Sequence, residues 1–171
     1  MQINRAIYIR GWMNEVELIW LAQQAETHMR IVEIGSFCGR SCRALADNTK
    51  GIVTAVDTWG IEHPAYGDTT GLFDQFKNNM IGCDNLRIVK KMSLDAAQEL
   101  AGEQFDMVFI DADHRYEAVK ADIRAWLPLI SPGGLICGHD YDDHDEVRRA
   151  VNEVLPDAKL EAGSIWALNL I

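Results

Sequence analysis

The sequence predicts an α/β fold: a doubly wound, mostly parallel sheet of seven strands, with helices on both faces and an antiparallel hairpin at the C-terminus. Three observations carry that reading. Strand-like and helix-like segments alternate along the chain from Ile31 to Val154, a pattern satisfied by crossovers between parallel neighbours. Phe105 to Asp111 contains the unbroken apolar run Met107, Val108, Phe109 and Ile110, as expected of a strand covered on both faces. Ile31 to Ser41, Ile-Val-Glu-Ile-Gly-Ser-Phe-Cys-Gly-Arg-Ser, reads as a buried strand, a tight turn and the start of a helix.

Taken in order, residues 1–13 are irregular, with Gly11 and Trp12 marking a bend. Asn14 then caps a helix to about His28, whose Leu18, Leu21, Ala22 and Ala25 share one face. Trp20 lies off that stripe, as peripheral core. After the first strand, Arg40 to Asn48 forms a short helix, and Ile52 to Asp57 is the second strand. Thr58 to Thr70, with Gly60, Pro64 and Gly67, is loop. Leu72, Phe73, Phe76 and Met80 fit a helix stopped by Gly82. Leu86 to Val89 is a third strand, Leu94 to Leu100 a helix, Phe105 to Asp111 the fourth strand, and Tyr116 to Leu127 a helix. Ser131-Pro132-Gly133-Gly134 breaks that helix before a fifth strand from Leu135 to Gly138. A helix from about Asp143 to Val154 opens on a capping box, Asp143 with Glu146. Strands near Ala158 to Glu161 and Ser164 to Leu170 close the chain as a hairpin.

Length and composition bound the function. At 171 residues the chain is expected to form one domain, residues 1–30 as an N-terminal segment and helix and 31–171 as the core. A net charge of -10 argues against a nucleic-acid partner, since such binding draws on lysine and arginine neutralising phosphates. Cys38, Cys42, Cys83 and Cys137 lack the paired spacings of a zinc site and read as reduced thiols. No run is long enough to span a bilayer and the N-terminus has no signal-peptide pattern, so the expectation is a soluble, cytoplasmic protein without a membrane partner. A homodimer is compatible with so small a fold, although no residue specifies one.

In a doubly wound sheet, ligands bind outside the carboxyl ends of the strands. Those ends are Gly35 to Ser41, Asp57 to Trp59, Lys90 to Ser93, Asp111 to His114 and Gly138 to Asp142. The turn glycines let backbone approach a ligand, and the helix start offers unpaired N–H groups. Asp57 falls 22 positions beyond Gly35, where an acid either accepts two ribose hydroxyls or merely caps its own loop. The turn is G-x-x-x-G, with Phe37 where a pyrophosphate-binding turn has its middle glycine. That bulk disfavours a dinucleotide.

Glu-Ile-Gly-Ser-Phe-Cys-Gly-Arg-Ser at 33–41 resembles the signature of class I S-adenosylmethionine-dependent methyltransferases, in particular the small-molecule O-methyltransferases of the catechol and caffeoyl-coenzyme A type. Val-Asp-Thr-Trp at 56–59, Phe-Ile-Asp-Ala-Asp-His at 109–114 and Ser-Pro-Gly-Gly-Leu-Ile-Cys-Gly-His-Asp-Tyr at 131–141 match in the same order. The resemblance implies a Rossmann-like core and bound S-adenosylmethionine, with Glu33, Gly35, Ser36, Phe37, Gly39 and Ser41 around the methionine end. It puts Asp57 and Thr58 at the ribose, and Trp59 and Ser93 near the adenine, with Asp111 on the same rim. The related enzymes hold a divalent cation on an aspartate after the fourth strand and an Asp-Asn pair after the fifth. Here Asp111 and Asp140 match, but Tyr141 replaces the asparagine, leaving His139, Asp142 or Asp113 to complete a site for magnesium, calcium or manganese. The alternative is that Asp142 and Asp143 cap a helix and the acidic run is solvated.

The family's catalytic lysine is His114 here, which could act as a general base without a metal, and His139 is the second candidate. His28, His63 and His144 read as surface residues. The expected reaction is methyl transfer to a hydroxyl of a small-molecule acceptor, a sugar or secondary metabolite. Transfer to nitrogen, a NAD-type oxidoreductase and a non-catalytic S-adenosylmethionine-binding module are the alternatives.

Overall fold

The computed structural model describes residues 1–60 and 70–171. Seven strands form one sheet: β1 (Arg30–Ile34), β2 (Ile52–Asp57), β3 (Leu86–Lys90), β4 (Phe105–Ile110), β5 (Ile130–Gly138), β6 (Lys159–Ala162) and β7 (Ile165–Asn169). Their order is β3-β2-β1-β4-β5-β7-β6. The first five are parallel, and β7 runs antiparallel to both β5 and β6. The order reverses between β1 and β4, so the crevice of the fold opens above their carboxyl ends.

The alternation of side chains along each strand divides the core in two. On one face Ile31, Val53, Met107 and Phe109 pack with Leu18 and Leu21 of α1 (Glu15–Ala25), Leu45 of α2 (Arg40–Ala46) and Phe76 of α3 (Leu72–Asn79). On the other, Val32, Ile34, Val108 and Ile110 meet Ala96 of α4 (Ser93–Glu99), Val119, Ile123 and Trp126 of α5 (Tyr116–Trp126), and Val151 of α6 (Asp145–Val154). Glu33 shares the first face with Ile31, its Cα opposite those of Ala55 and Phe109, and is fully buried. Trp20 packs at the edge of that core.

Three expected boundaries shift, each for a local reason. Helix α1 stops at Ala25 rather than near His28, because the Thr27 hydroxyl and the His28 ring reach back to the Gln24 carbonyl at 3.1 and 2.6 Å. Strand β5 begins at Ile130, ahead of the Pro-Gly-Gly breaker. Phe105 pairs with Ile130 and Met107 with Leu135, so the breaker is looped out of the ladder. Helix α6 starts at Asp145 and has no capping box: Glu146 instead accepts the Tyr116 N–H at 2.7 Å, and the Asp143 N–H turns to the Ser164 hydroxyl at 3.3 Å. His63, Pro64 and Gly67 of the expected loop lie outside the described residues. No helix among the described residues is long and apolar enough to cross a membrane.

Gly35 marks where β1 and β4 converge. Its φ is +94°, and a Cβ there would overlap the Asp111 carbonyl oxygen. We expect Gly35→Ala to cost about 3 kcal/mol or more, combining left-handed strain with a backbone clash. Gly71→Ala, at φ +76° with nothing among the described residues within 4 Å of the added methyl, should cost only about 1–2 kcal/mol. Urea denaturation of both variants checks this; equal losses would contradict it.

Candidate active site

A cavity of about 1120 Å³ opens above the carboxyl ends of β1, β2, β4 and β5 and is closed on one side by the N-terminal segment. Its floor is the β1–α2 turn. Gly35 donates its N–H to the Val56 carbonyl at 2.8 Å, which seats the turn against β2. Phe37 then adopts φ +46°, a region costly for a residue with a bulky side chain. Asp57 holds it there: Oδ2 accepts the Phe37 N–H and Oδ1 the Trp59 N–H, both at 2.7 Å. The Trp59 indole N–H donates to the Phe37 carbonyl at 2.8 Å. Burial pushes the Asp57 carboxyl up, opposed by the amides of Trp59, Phe37, Thr58 and Ser36.

The N-terminal segment is tied over this floor by Arg40, the first residue of α2. Its Nε donates to the Met13 carbonyl at 2.8 Å and its Nη1 to those of Ile7 and Ile9 at 2.7 Å. Trp12 is thereby set 5.1 Å from the Phe37 ring while remaining 75% exposed, and the Arg10 guanidinium lies 5.3 Å above the same ring. An indole and a cation thus form one wall of the cavity.

The opposite rim is acidic. Asp111 follows β4, and His139 and Asp140 follow β5. One donor atom from each of the three lies within 4.8 Å of the others. His139 Nδ1 is 3.2 Å from Asp140 Oδ1 and 3.9 Å from Asp111 Oδ1, and His114 Nε2 is 2.9 Å from Asp140 Oδ2. Burial pushes the Asp111 carboxyl up to about 7, Asp140 adding to the rise and His139 opposing it. Burial alone would raise Asp140 as well, but hydrogen bonds from His114 and His139 hold it well below the usual carboxylate range. Pairing with Asp140 moves the His114 imidazole above its ordinary value.

For His139 the balance alters its expected role. Burial alone would lower its pKa, yet the carboxylates of Asp140 and Glu17, 3.2 and 3.1 Å from its two ring nitrogens, together with the Asp111 charge, push it up to about 10. At neutral pH it is an imidazolium and has no lone pair with which to take a proton.

Gly35, Ser36, Phe37, Ser41, Asp57, Thr58, Asp111, His114, His139 and Asp140 all border the cavity, as expected of site residues. Trp59 and Ser93 do not. Trp59 is 3% exposed and packed against Phe73 and Phe76, with ring centroids 5.0 and 4.5 Å away. The Ser93 hydroxyl accepts the Trp126 indole N–H at 3.0 Å, turned toward α5. Gly39, at φ +92°, precedes α2 and lies over Phe76 and Met80. Glu33 lies beneath the turn, and burial pushes it up to about 7, opposed by the nearby side chains of Ser36, Ser41 and Cys42. Sequence reasoning missed Arg10, Trp12 and Glu17. Only Glu17 had a local signal, the Asn14-x-x-Glu17 spacing of a capping box.

Residues 32–141 match the family model described as a methyltransferase domain. The chain belongs to that family. The methyltransferase domain is 30% identical over 130 residues to protein y4gI of Sinorhizobium fredii, a match covering 72% of this chain and 14% of that protein. A second curated relative is likewise matched over only part of its length, 61%. Among solved structures, cofactor-bound Rv0187 from MTB superposes with a TM-score of 0.74 at 21% identity, over 98% of this chain and 85% of that one. The O-methyltransferase from Bacillus cereus in complex with SAH gives 0.71 at 22% identity, over 98% and 87%. At these identities the solved structures share the fold of the methyltransferase domain.

The buried Glu33 predicts a pH-dependent cost. Its carboxyl titrates near 7 in the folded chain and near the usual 4.5 when unfolded, so stability falls as pH rises from about 4.5 through 7. The full penalty above that range is about 3 kcal/mol. Glu33→Gln should remove the Glu33 share of the slope, about 3 kcal/mol of unfolding free energy between pH 4.5 and 8, and leave the share of Asp111, which is raised to about 7 as well. A slope unchanged in the variant would assign it to another group.

Proposed function

We propose that this chain is an S-adenosylmethionine-dependent methyltransferase domain that methylates a hydroxyl of a small molecule. The observation that carries this reading is the opening of the Gly35–Ser41 turn, Asp57 and the Asp111–His139–Asp140 rim into one cavity. When bound, S-adenosylmethionine would supply an electrophilic methyl, which the acceptor oxygen takes in line as the C–S bond breaks and S-adenosylhomocysteine leaves with the bonding pair. Asp57, whose carboxylate is oriented by the Phe37 and Trp59 amides at the end of β2, is placed to accept ribose hydroxyls. Phe37 in a left-handed conformation fills the place of a pyrophosphate, which favours a nucleoside without phosphates over NAD. Ser36 borders the cavity beside the buried Glu33, on the side expected for the methionine end.

Asp111 is the group suited to take the acceptor proton, since a base titrating near 7 is half-ionised at working pH. His114, partly exposed at the mouth, can pass that proton to solvent. The protonated His139 stabilises negative charge on the acceptor oxygen and on Asp140. The converging carboxylates of Asp111 and Asp140, with His139 Nδ1 once deprotonated, also fit a divalent cation, magnesium, calcium or manganese. Such an ion would lower the pKa of the acceptor hydroxyl. Trp12 and Arg10 are placed to meet the acceptor itself, and the acceptor, like the other substrates and partners of the full protein, is part of this proposal. A cytoplasmic location and a homodimer are compatible with it.

Calorimetry should show S-adenosylmethionine binding to the chain, at least tenfold weaker binding to Asp57→Ala, and no binding of NAD. Binding of NAD in place of S-adenosylmethionine would overturn the proposal. With labelled S-adenosylmethionine and a panel of small hydroxylated acceptors, transfer should rise with pH through about 7 as Asp111 ionises. Asp111→Asn should lose about 10²–10⁴-fold in rate. A flat profile, or full activity in the variant, would remove Asp111 from the role of base.

A further inference from the structure

Glu17 sits in the first turn of α1, where a capping-box glutamate ordinarily faces water, yet it is 3% exposed. Its Oε2 accepts the Asn14 N–H at 2.7 Å, which completes the cap. Its Oε1 is not needed for that purpose. It accepts the Ser164 N–H at 2.9 Å and lies 3.1 Å from His139 Nε2. Gly163 closes over it, and a Cβ at that position would overlap the carboxylate. The turn between β6 and β7, the start of α1 and the end of β5 therefore meet on one carboxylate.

His139 has two ring nitrogens, and the partner of one decides what the other can do. With Nε2 against Glu17, Nδ1 is directed at Asp140 and Asp111, 3.2 and 3.9 Å away. Asp140 itself has φ +65°, so the backbone beside the ring is fixed in a strained conformation with little freedom to compensate. Asp140 and Asp111 meet the ring on its Nδ1 side, and Glu17 is the carboxylate that lies against Nε2.

We propose that Glu17 is a positioning residue that fixes the ring of His139, presenting Nδ1 to the Asp111–Asp140 pair and to a cation or acceptor seated there. This inference rests on the proposed function only for what the rim does, and not for the orientation of the ring. The same carboxylate anchors the helix that follows the Trp12 wall, so the acceptor side and the chemical side of the cavity share one support.

The test uses the intact chain labelled with ¹⁵N-histidine, its ring nitrogens followed by NMR, and manganese binding followed by calorimetry. In the wild type at pH 7, His139 Nε2 should carry a proton protected from exchange. Glu17→Gln should lose that protection, shift both ring nitrogens and weaken manganese binding about 10–100-fold. Asn14→Ala breaks the same capping box but spares the ring, so it should lower stability and leave the ring signals and manganese affinity within twofold of wild type. Wild-type signals in Glu17→Gln, or equal changes in Asn14→Ala, would overturn the proposal. Should Glu17→Gln fail to fold, the wild-type spectrum still decides, because an Nε2 without a proton contradicts the contact. If the wild-type chain binds neither manganese nor S-adenosylmethionine, the proposed function fails while the ring spectra still judge Glu17.

Discussion

The close approach of backbone at the end of β4 is the constraint on which the site depends. Gly35 lies on one side, where a side chain would overlap the Asp111 carbonyl, and Gly138 on the other, where a Cβ would stand 2.5 Å from the Ile110 carbonyl. Two glycines thus let the loops after β1 and β5 close onto the strand between them. The pairing continues into those loops: the Asp111 N–H donates to Ile34 at 2.8 Å and the His139 N–H to Ile110 at 3.1 Å. Any wider spacing would separate the Phe37 turn from the acidic rim and leave two surfaces where there is now one cavity.

Strain collects where that closure occurs. Among the described residues, Phe37, Trp59 and Asp140 are the non-glycine residues with positive φ, and they follow β1, β2 and β5. Each is held by several partners: Phe37 by Asp57 and Trp59, Trp59 by Asp57 and two phenylalanine rings, Asp140 by two histidines. Such over-determination is what allows costly backbone to persist, and it gathers at functional sites. The charges follow the same logic. Glu33, fully buried, and Asp111, partly buried, are both pushed up to about 7, mainly by desolvation.

Much of this was legible in the sequence because it is local. The alternation of strands and helices, the Gly35 bend, the acid ending β2, and the acids and histidines after β4 and β5 all follow from spacing within short segments. What could not be read depends on distant partners. Glu146 has the spacing to cap its own helix, but α5 packs beside α6 and the Tyr116 N–H claims its carboxylate, 30 positions away. Trp59 looks like a ligand platform until Phe73 and Phe76 are folded against it. Glu17 meets Ser164 across 147 positions, and a capping-box pattern cannot announce that second contact. His139 reads as a base candidate because a free imidazole titrates near neutrality; the sequence does not show that three carboxylates surround it and raise its pKa to about 10.

The central claim is that one cavity holds the cofactor on the Gly35–Ser41 turn with its reacting end toward the acidic rim. A crystal structure of the chain soaked with S-adenosylhomocysteine tests it most directly. The account predicts ribose hydroxyls on Asp57 and a sulfur atom facing the space between Asp111 and Asp140. A nucleoside seated away from the turn, or a sulfur directed away from Asp111, would contradict it.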